Sequence, residues 1–265
     1  MRTCILSTES NQFFEILTAG FFGAGGSPVS TLALLPDRST VGFPRFSEPI
    51  VAWSLFGLRR ISAYLRYRLS PQSVWRLPCL SDHADWRPNG DQGIAEQTVR
   101  LESLKQASLE EFLEKGGYDI VVSIGAPIIF GPGVLEKAGK EAVNIHNGDI
   151  SKYRGHFSTF WELYNGETET AVSLHRMAVK VDAGDLLARE VVPVDPTTNL
   201  FDTLLRKKLL GGKLLAEFLS AMHETGAPVP LNAPSESGAS YYGFPTMGDV
   251  REFARRRRAS LGLRK

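Results

Sequence analysis

The sequence contains little cysteine and almost no net charge. Its two cysteines, Cys4 and Cys79, are too few for the disulfide framework of a small secreted domain. A net charge of +1 argues against a general nucleic-acid binder, which would carry a strongly basic surface. Glu9 and Asn11 interrupt the start of the chain, so we expect no signal peptide and favour a cytoplasmic location.

Long apolar runs are also missing. Residues 16–36 carry no charge but are broken by glycines and a proline, and the apolar run 49–58 is too short to cross a bilayer. Residues 49–69 interleave apolar side chains with four arginines, a pattern that suits a membrane surface but is more typical of core or subunit packing. We therefore expect no stable membrane insertion, and a homodimer remains open.

The apolar residues that are present suffice for one large domain. The chain has 265 residues, of which 43% are hydrophobic. The pattern predicts a strand at 3–7, a helix at 11–19 that ends at the glycines Gly20 to Gly26, and a second strand at 29–35. This βαβ order predicts an α/β fold with a mostly parallel sheet.

The middle of the chain continues the alternation. Apolar spacing predicts a helix at 102–115, and the continuous apolar run 120–124 predicts a buried parallel strand. A further strand, 141–146, carries Asn144 and His146 at its carboxyl end, where open α/β sheets bind ligands. Because the two residues are two positions apart, their side chains point to the same face.

The last third predicts a hairpin, a long helix and an extension. Strands at 171–177 and 185–194 flank a loop that contains Asp182, and Asn199 is expected to cap a helix that runs to His223. A stretch rich in proline, serine and glycine follows. We therefore predict one domain over 1–226, then a linker and C-terminal extension over 227–265. In the extension, aromatic residues are expected to dock on the main domain, and a helix at 249–258 ends in solvated arginines.

Asn144, His146 and Asp182 are the polar side chains needed to move an acyl group between two nitrogens. The Asn144 amide and the His146 imidazole can donate hydrogen bonds to the oxyanion of a tetrahedral intermediate. Asp182 can accept and donate protons, although an aspartate before Ala-Gly is also a common turn residue. The set predicts acyl transfer without a covalent enzyme intermediate.

Four ordered sequence blocks contain or adjoin these residues. They are Asn-Ile-His-Asn-Gly at 144–148, Lys-Tyr-Arg-Gly at 152–155, Phe-Trp-Glu-Leu-Tyr-Asn-Gly-Glu at 160–167 and Val-Asp-Ala-Gly-Asp-Leu-Leu at 181–187. Together they resemble the catalytic core of the 10-formyltetrahydrofolate-dependent formyltransferases. The resemblance covers roughly residues 119–194. It implies a Rossmann-like sheet flanked by helices, 10-formyltetrahydrofolate as formyl donor without a metal, and Asn144, His146 and Asp182 as catalytic residues.

The resemblance also implies where the pteridine of the donor lies. It places the pteridine against the backbone after the strand 120–124 and against the loop of Asp182. The residues expected to bind it are Ile124, Gly125, Ala126, Pro127, Val181 and Gly184.

The acceptor is indicated less directly. Residues 148–151 are Gly-Asp-Ile-Ser, where many members of the family have Ser-Leu-Leu-Pro, and this loop is expected to border the acceptor. No persuasive glycine-rich phosphate loop opens the chain, which argues against glycinamide ribonucleotide as the acceptor. Too few residues follow Asn199 for the usual tRNA-binding domain, which argues against tRNA. We therefore expect a small-molecule amine, with a nucleotide-linked amino sugar favoured and no nucleic acid. Its diphosphate is expected to contact Lys152, Arg154 and His156, for which a tight turn and surface charge are the alternative.

Two further histidines are assigned no catalytic role, and alternative functions stay open. His83 lies between Asp82 and Asp85, but a solvated loop over 82–93 is favoured over a metal site, and His175, mid-strand, is expected to be structural. The functional alternatives are formylation of another small amine or an amino acid, hydrolysis of 10-formyltetrahydrofolate, and folate binding without turnover.

Overall fold

The computed structural model describes residues 1–8, 11, 14–36, 78–86, 93–194, 199–227 and 238–260. The predicted amphipathic stretch 49–69 and most of the predicted linker therefore lie outside the described residues. No helix in the described part of the chain is long and apolar enough to span a membrane.

Nine strands are present in these ranges: β1 (Thr3–Thr8), β2 (Val29–Leu35), β3 (Ala95–Arg100), β4 (Ile120–Ser123), β5 (Glu141–His146), β6 (Tyr153–Gly155), β7 (Glu169–Arg176), β8 (Leu186–Pro193) and β9 (Ser240–Tyr242). The helices are α1 (Phe14–Gly23), α2 (Gln106–Gly116), α3 (Pro132–Glu136), α4 (Ser158–Tyr164), α5 (Leu200–Thr225) and α6 (Met247–Ser260), and a 3₁₀ segment spans Pro78–Trp86.

Seven strands form one sheet in the order β3-β2-β1-β4-β5-β7-β8. The first five run parallel, and β7 and β8 add an antiparallel hairpin at one edge. The predicted Rossmann-like, mostly parallel sheet is therefore confirmed, as is the hairpin. The central parallel strands β1 and β4 are buried along their whole length because helices cover both of their faces.

The helices divide between the two faces of the sheet. Helices α1 and α5 pack on one face, where Leu17 and Leu215 join Ile145, Val172 and Leu174 in a buried cluster. Helices α2 and α3 pack on the other face. Since side chains alternate along a strand, Asn144 and His146 point away from the α5 side of the sheet.

Helix α1 ends within the predicted glycine cluster, but four residues later than the predicted end at Ala19. It continues to Gly23 because Gly20 allows close packing against α5, and Gly25, with a φ of 84°, follows the helix end. A Cβ on Gly20 would overlap the carbonyl oxygen of Leu209 in α5, and a Cβ on Gly212 would overlap that of Leu17 in α1. The two backbones therefore touch where a larger residue would separate them, and this contact fixes α5 against α1.

Three other predicted boundaries need correction. Helix α2 begins at Gln106 rather than at residue 102, since the preceding residues continue from β3 as a loop. The predicted loop at 82–93 instead begins within the 3₁₀ segment, where the His83 ring packs edge-on against Trp86. Helix α6 extends beyond 249–258 at both ends, and Asp249 and Thr246 exchange hydrogen bonds at its start.

The C-terminal segment 238–260, called the tail below, docks on the main domain as predicted. Its strand β9 pairs in parallel with β6. Val250 and Phe253 of α6 are buried against Phe160 of α4. The tail therefore lies beside the loops that follow β5 and β6.

Candidate active site

A cluster of polar side chains lies on one face of β5 and β7. Asn144 is opposite His175, and His146 is opposite Ser173 in the antiparallel pairing. Directly opposed residues share a face of the sheet, so all four side chains point to the same side. The structure thus brings His175, which we expected to be structural, next to the predicted catalytic residues.

His175 is oriented by two contacts. Its Nδ1 lies 2.8 Å from the carbonyl oxygen of Arg176 and therefore donates to it, while its Nε2 lies 3.1 Å from the Asn144 amide nitrogen. In the neutral ring Nε2 then accepts one of the two amide N–H groups. The second N–H of Asn144 is left for another acceptor, such as an oxygen that gains negative charge.

Asp182 reaches this cluster from the loop between β7 and β8. Its carboxylate, 8% exposed, lies 3.4 Å from His146 Nδ1 and 3.4 Å from His175 Nε2. It also accepts a hydrogen bond of 2.9 Å from the backbone N–H of Gly155. Asp182 has a φ of 50°, so it is a left-handed turn residue as well as a contact of both histidines.

The charge state of Asp182 follows from these partners. Burial by itself raises the pKa of this carboxyl, but the charge of His146, the neighbouring His175 imidazole and the hydrogen bond from the Gly155 N–H act in the opposite direction. Their combined effect holds the pKa of Asp182 well below its usual range, so the group is ionised at neutral pH. A stable carboxylate next to two imidazoles can orient them and exchange protons.

Both nitrogens of the His146 ring face hydrogen-bond acceptors. Nε2 lies 2.9 Å from the carbonyl oxygen of Tyr153 and donates to it, and Nδ1 faces Asp182. Burial lowers the pKa of His146, while Asp182 opposes that change. A second proton would therefore lie on Nδ1, between the ring and the carboxylate. This proton can form a hydrogen bond to a neighbouring substrate oxygen.

The loop after His146 is held by a buried ion pair that the sequence did not indicate. Lys207 of α5 pairs with Glu162 of α4, and their side chains are 0% and 1% exposed. Lys207 also donates to the carbonyl oxygen of Asn147, at 3.2 Å. Glu162 accepts from the backbone N–H of Asp149 at 3.0 Å. The ion pair therefore fixes the backbone on both sides of Gly148.

Small hydroxyl side chains complete the support of this loop. Ser158 and Thr159 each donate to the Asn147 carbonyl oxygen at 2.7 Å, and Ser173 donates to the Gly148 carbonyl oxygen at 2.7 Å. A Cβ on Gly148 would overlap Ser158 and lie 2.9 Å from His146 Nε2. Glycine is therefore required where the loop passes the His146 ring.

The residues predicted to bind folate follow β4 and flank Asp182. The Ile124 carbonyl oxygen accepts from Ser7 at 2.9 Å and from Asn11 at 2.8 Å, and Gly125 has a φ of 66°. Ala126 and Pro127 are half-buried in the loop that follows. On the other side, Val181 and Gly184 lie within the Asp182 loop; a Cβ on Gly184 would overlap the Arg176 carbonyl oxygen.

The three residues predicted to bind the acceptor differ in their surroundings. Lys152 is exposed, with its Nζ 3.5 Å from Glu167. His156 is exposed and stacks on Phe244, with ring centroids 4.1 Å apart. Arg154, by contrast, is 8% exposed and donates from Nε to the Ile150 carbonyl oxygen at 2.9 Å. Lys152 and His156 are thus accessible to a ligand, while the Arg154 Nε supports the loop.

No cluster of three or more His, Cys, Asp or Glu side chains suited to a metal ion occurs among the described residues, the 3₁₀ segment with His83 included. The cluster around Asn144 consists of an amide, two imidazoles and a carboxylate.

Comparison with known proteins places this cluster in a family. The family model described as Formyl transferase matches residues 86–218, half of the chain. Methionyl-tRNA formyltransferase from Trichormus variabilis is 29% identical over 174 residues, which are 65% of this chain and 48% of that protein. The chain thus spans about half the length of this curated relative.

Solved structures share the fold at low sequence identity. A 4-N formyltransferase from Francisella tularensis has a TM-score of 0.54 and 13% identity, over 95% of this chain and 86% of that one. The N-formyltransferase from Helicobacter canadensis, in complex with folinic acid and dTDP-3-aminofucose, has a TM-score of 0.51 and 15% identity, over 96% and 79%. The family match spans Asn144, His146, His175 and Asp182, and the chain belongs to the formyl transferase family.

Proposed function

We propose that the chain transfers a formyl group from 10-formyltetrahydrofolate to the primary amine of a nucleotide-linked amino sugar. The observation that carries the proposal is the placement of Asp182 3.4 Å from His146 and 3.4 Å from His175, with Asn144 bonded to His175 on the same face. Amide, imidazole and carboxylate groups are the ones that attack of an amine on a formyl amide requires.

The first step is attack of the neutral amine on the formyl carbon. Electron density moves to the formyl oxygen, and the attacking nitrogen becomes positive. The free N–H of Asn144 and a proton on His146 Nδ1 stabilise the oxygen, because fixed donors in a buried site need little reorganisation as the charge develops. The carboxylate of Asp182 holds that Nδ1 proton in place.

The second step moves one proton and breaks one bond. Asp182, through a water molecule, accepts the proton of the attacking nitrogen and relays it to the folate nitrogen. The carbon–nitrogen bond to folate then breaks, and the formyl group remains on the acceptor. Protonated amines cannot attack, so the rate is expected to rise with pH while acceptor deprotonation limits it.

The choice of donor and acceptor rests on the loops around the cluster. The loop after β4 and the Asp182 loop match the segments that the family resemblance assigns to the pteridine. The Helicobacter canadensis protein of similar fold is in complex with both a folate and a nucleotide-linked amino sugar. On the acceptor side, Lys152 and His156 are exposed and close in sequence to the catalytic strand.

The test is a product assay with several acceptors. The protein is incubated with 10-formyltetrahydrofolate and a panel of amino-sugar nucleotides, amino acids and simple amines, and mass spectrometry detects addition of one formyl group. A formylated sugar nucleotide is expected. If only an uncharged amine is formylated efficiently, the proposed sugar-nucleotide acceptor is wrong and a small amine is the acceptor. If formate is released without an amine, the reaction is hydrolysis and not formyl transfer. The His146→Ala variant is the control for uncatalysed formylation.

A further inference from the structure

One short strand contacts both His146 and Asp182. Strand β6 has three residues. Its Tyr153 carbonyl oxygen accepts from His146 Nε2 at 2.9 Å, and its Gly155 N–H donates to the Asp182 carboxylate at 2.9 Å. The position of β6 therefore sets the relative position of the imidazole and the carboxylate.

Strand β6 is itself held by the tail. In the described part of the chain its sheet partner is β9, with Arg154 opposite Tyr241 and Gly155 opposite Tyr242. The pairing extends beyond the strand, because the His156 N–H donates to the Tyr242 carbonyl oxygen at 2.8 Å. A Cβ on Gly155 would overlap the same carbonyl oxygen.

Tyr241 also connects the tail directly to the Asp182 loop. Its phenol hydroxyl donates to the carbonyl oxygen of Val181, the residue before Asp182. Asp182 has a φ of 50°, a left-handed conformation that residues other than glycine rarely adopt. Contacts from outside the loop therefore help to keep the turn in place, and the Tyr241 hydroxyl supplies one at the adjacent peptide.

The tail is anchored at a distance from these groups. The Tyr242 ring stacks on Tyr153 with centroids 5.2 Å apart and on Trp161 with centroids 5.2 Å apart. Trp161 donates from its indole N–H to the Gly243 carbonyl oxygen at 2.9 Å. These contacts fix β9 on α4 independently of the Tyr241 hydroxyl.

We propose that the tail supports the active site and that Tyr241 is a positioning residue, which holds the Asp182 carboxylate against His146. The inference rests on the proposed function in one respect: the His146–Asp182 pair must act in formyl transfer for Tyr241 to affect turnover. The contacts themselves do not depend on the identity of the acceptor. The Tyr241 side chain thus serves the catalytic pair, while its aromatic neighbours pack the extension.

Tyr241→Phe removes one oxygen atom from a side chain that is half exposed, so the variant is expected to fold. The matched control is Tyr242→Phe, which removes a hydroxyl that accepts a hydrogen bond from Asn165 at 3.2 Å. We expect kcat for formyl transfer to fall about tenfold in Tyr241→Phe with little change in the Michaelis constant for folate, since small misplacements of reacting groups reduce turnover. The control should keep the wild-type kcat.

A second readout does not require turnover. The chain has five histidines, so the His146 ring signals can be followed by NMR and assigned with His146→Ala. Because Asp182 raises the pKa of His146, loosening the carboxylate should lower that pKa in Tyr241→Phe and leave it unchanged in Tyr242→Phe. His175 and Lys207, which lower the pKa of His146, are the same in both variants.

A double variant separates positioning from general stability. On the Asp182→Asn background, Tyr241→Phe should produce no further loss of kcat, because the effects of two substitutions that act through the same group do not add. A wild-type His146 pKa and wild-type kcat in Tyr241→Phe would overturn the proposal, and so would a full additional loss on the Asp182→Asn background. If the wild-type chain transfers no formyl group, the proposed function fails, while the NMR titration still decides whether Tyr241 positions Asp182.

Discussion

Lys207 and Glu162 form a fully buried ion pair that holds the backbone on both sides of Gly148. Burial raises the pKa of Glu162 and lowers the pKa of Lys207, and the charge of each partner opposes that change. Each charge is therefore tolerated mainly because the other is present.

Removing one member of this pair is expected to destabilise the protein strongly. Lys207→Met leaves the Glu162 carboxylate buried without its cation, which should reduce the free energy of unfolding by about 3–5 kcal/mol. Urea unfolding followed by circular dichroism measures this change. The control is the double variant Glu162→Gln/Lys207→Met, in which the glutamine amide oxygen can still accept from the Asp149 N–H without a charge. It should recover most of the loss; equal destabilisation of the single and double variants would contradict the charge argument.

Loss of either proposed oxyanion donor should reduce turnover and leave the donor site intact. His146→Ala or Asn144→Ala should lower kcat by about two to three orders of magnitude, the effect typical of removing such a donor. Steady-state kinetics with 10-formyltetrahydrofolate gives kcat and the Michaelis constant separately. His223→Ala, at an exposed position near the end of α5, is the matched histidine control. Near wild-type kcat in both site variants would exclude the proposed mechanism.

Asp182→Asn tests the carboxylate with little change of shape. The amide oxygen can still accept from the Gly155 N–H, but the negative charge that raises the pKa of His146 is lost. The pKa of His146 should therefore fall. If a proton on Nδ1 is needed for catalysis, activity is lost as pH rises through that pKa, so the alkaline limb of the kcat profile should move to lower pH. An unchanged profile and full activity would leave Asp182 as a turn residue only.

Local rules predicted the site wherever its geometry is local. Alternation along β5 is enough to place Asn144 and His146 on one face, and the short apolar strands indicate a covered parallel sheet. His175 could not be assigned in this way, because its place opposite Asn144 depends on the register of a hairpin partner. Polar Ser173 and His175, alternating with apolar neighbours, were the available signal for a polar face on β7.

Tertiary contacts explain the predictions that were wrong or incomplete. The glycines after Ala19 predict a helix end, yet Gly20 stays helical because α5 touches it. Arg154 donates from Nε to the Ile150 carbonyl oxygen, and its predicted contact with a diphosphate stays a prediction. Lys207 lies among the leucines of α5, and its partner Glu162 is 45 positions away in the chain, so no local pattern connects them.

The acceptor site can be tested with a pair of similar lysines. Lys152→Ala should raise the Michaelis constant for a nucleotide-linked amino sugar several-fold and leave that for folate unchanged, because a diphosphate contact acts on ground and transition states alike. Lys140→Ala is the control: both lysines are about 60% exposed and lie 3.5 Å from a carboxylate. His156→Ala should behave like Lys152→Ala. If the acceptor constant is unchanged in both site variants, a diphosphate does not bind at this edge.

Lys208 gives the stability of the protein a dependence on pH. Its side chain is buried and donates to Asn11 at 3.2 Å, and burial lowers its pKa from 10.5 to about 8. Between these two values the unfolded chain binds more protons than the folded one, so the free energy of unfolding rises with pH. The stabilisation that comes with a neutral Lys208 is complete above the pKa of Lys208 in the unfolded chain. It decreases as pH falls below that value and is fully lost below the pKa of Lys208 in the folded chain.

The contribution is measured by comparing the wild type with Lys208→Met across this window. From about pH 7 to about pH 10 the unfolding free energy of the wild type should rise relative to that of the variant, by about 2 kcal/mol, because each pKa unit corresponds to about 1.4 kcal/mol. Urea unfolding at several pH values gives both curves, and groups common to the two proteins cancel in the difference. A difference that does not change with pH would show that the Lys208 pKa is the same in the folded and unfolded chains.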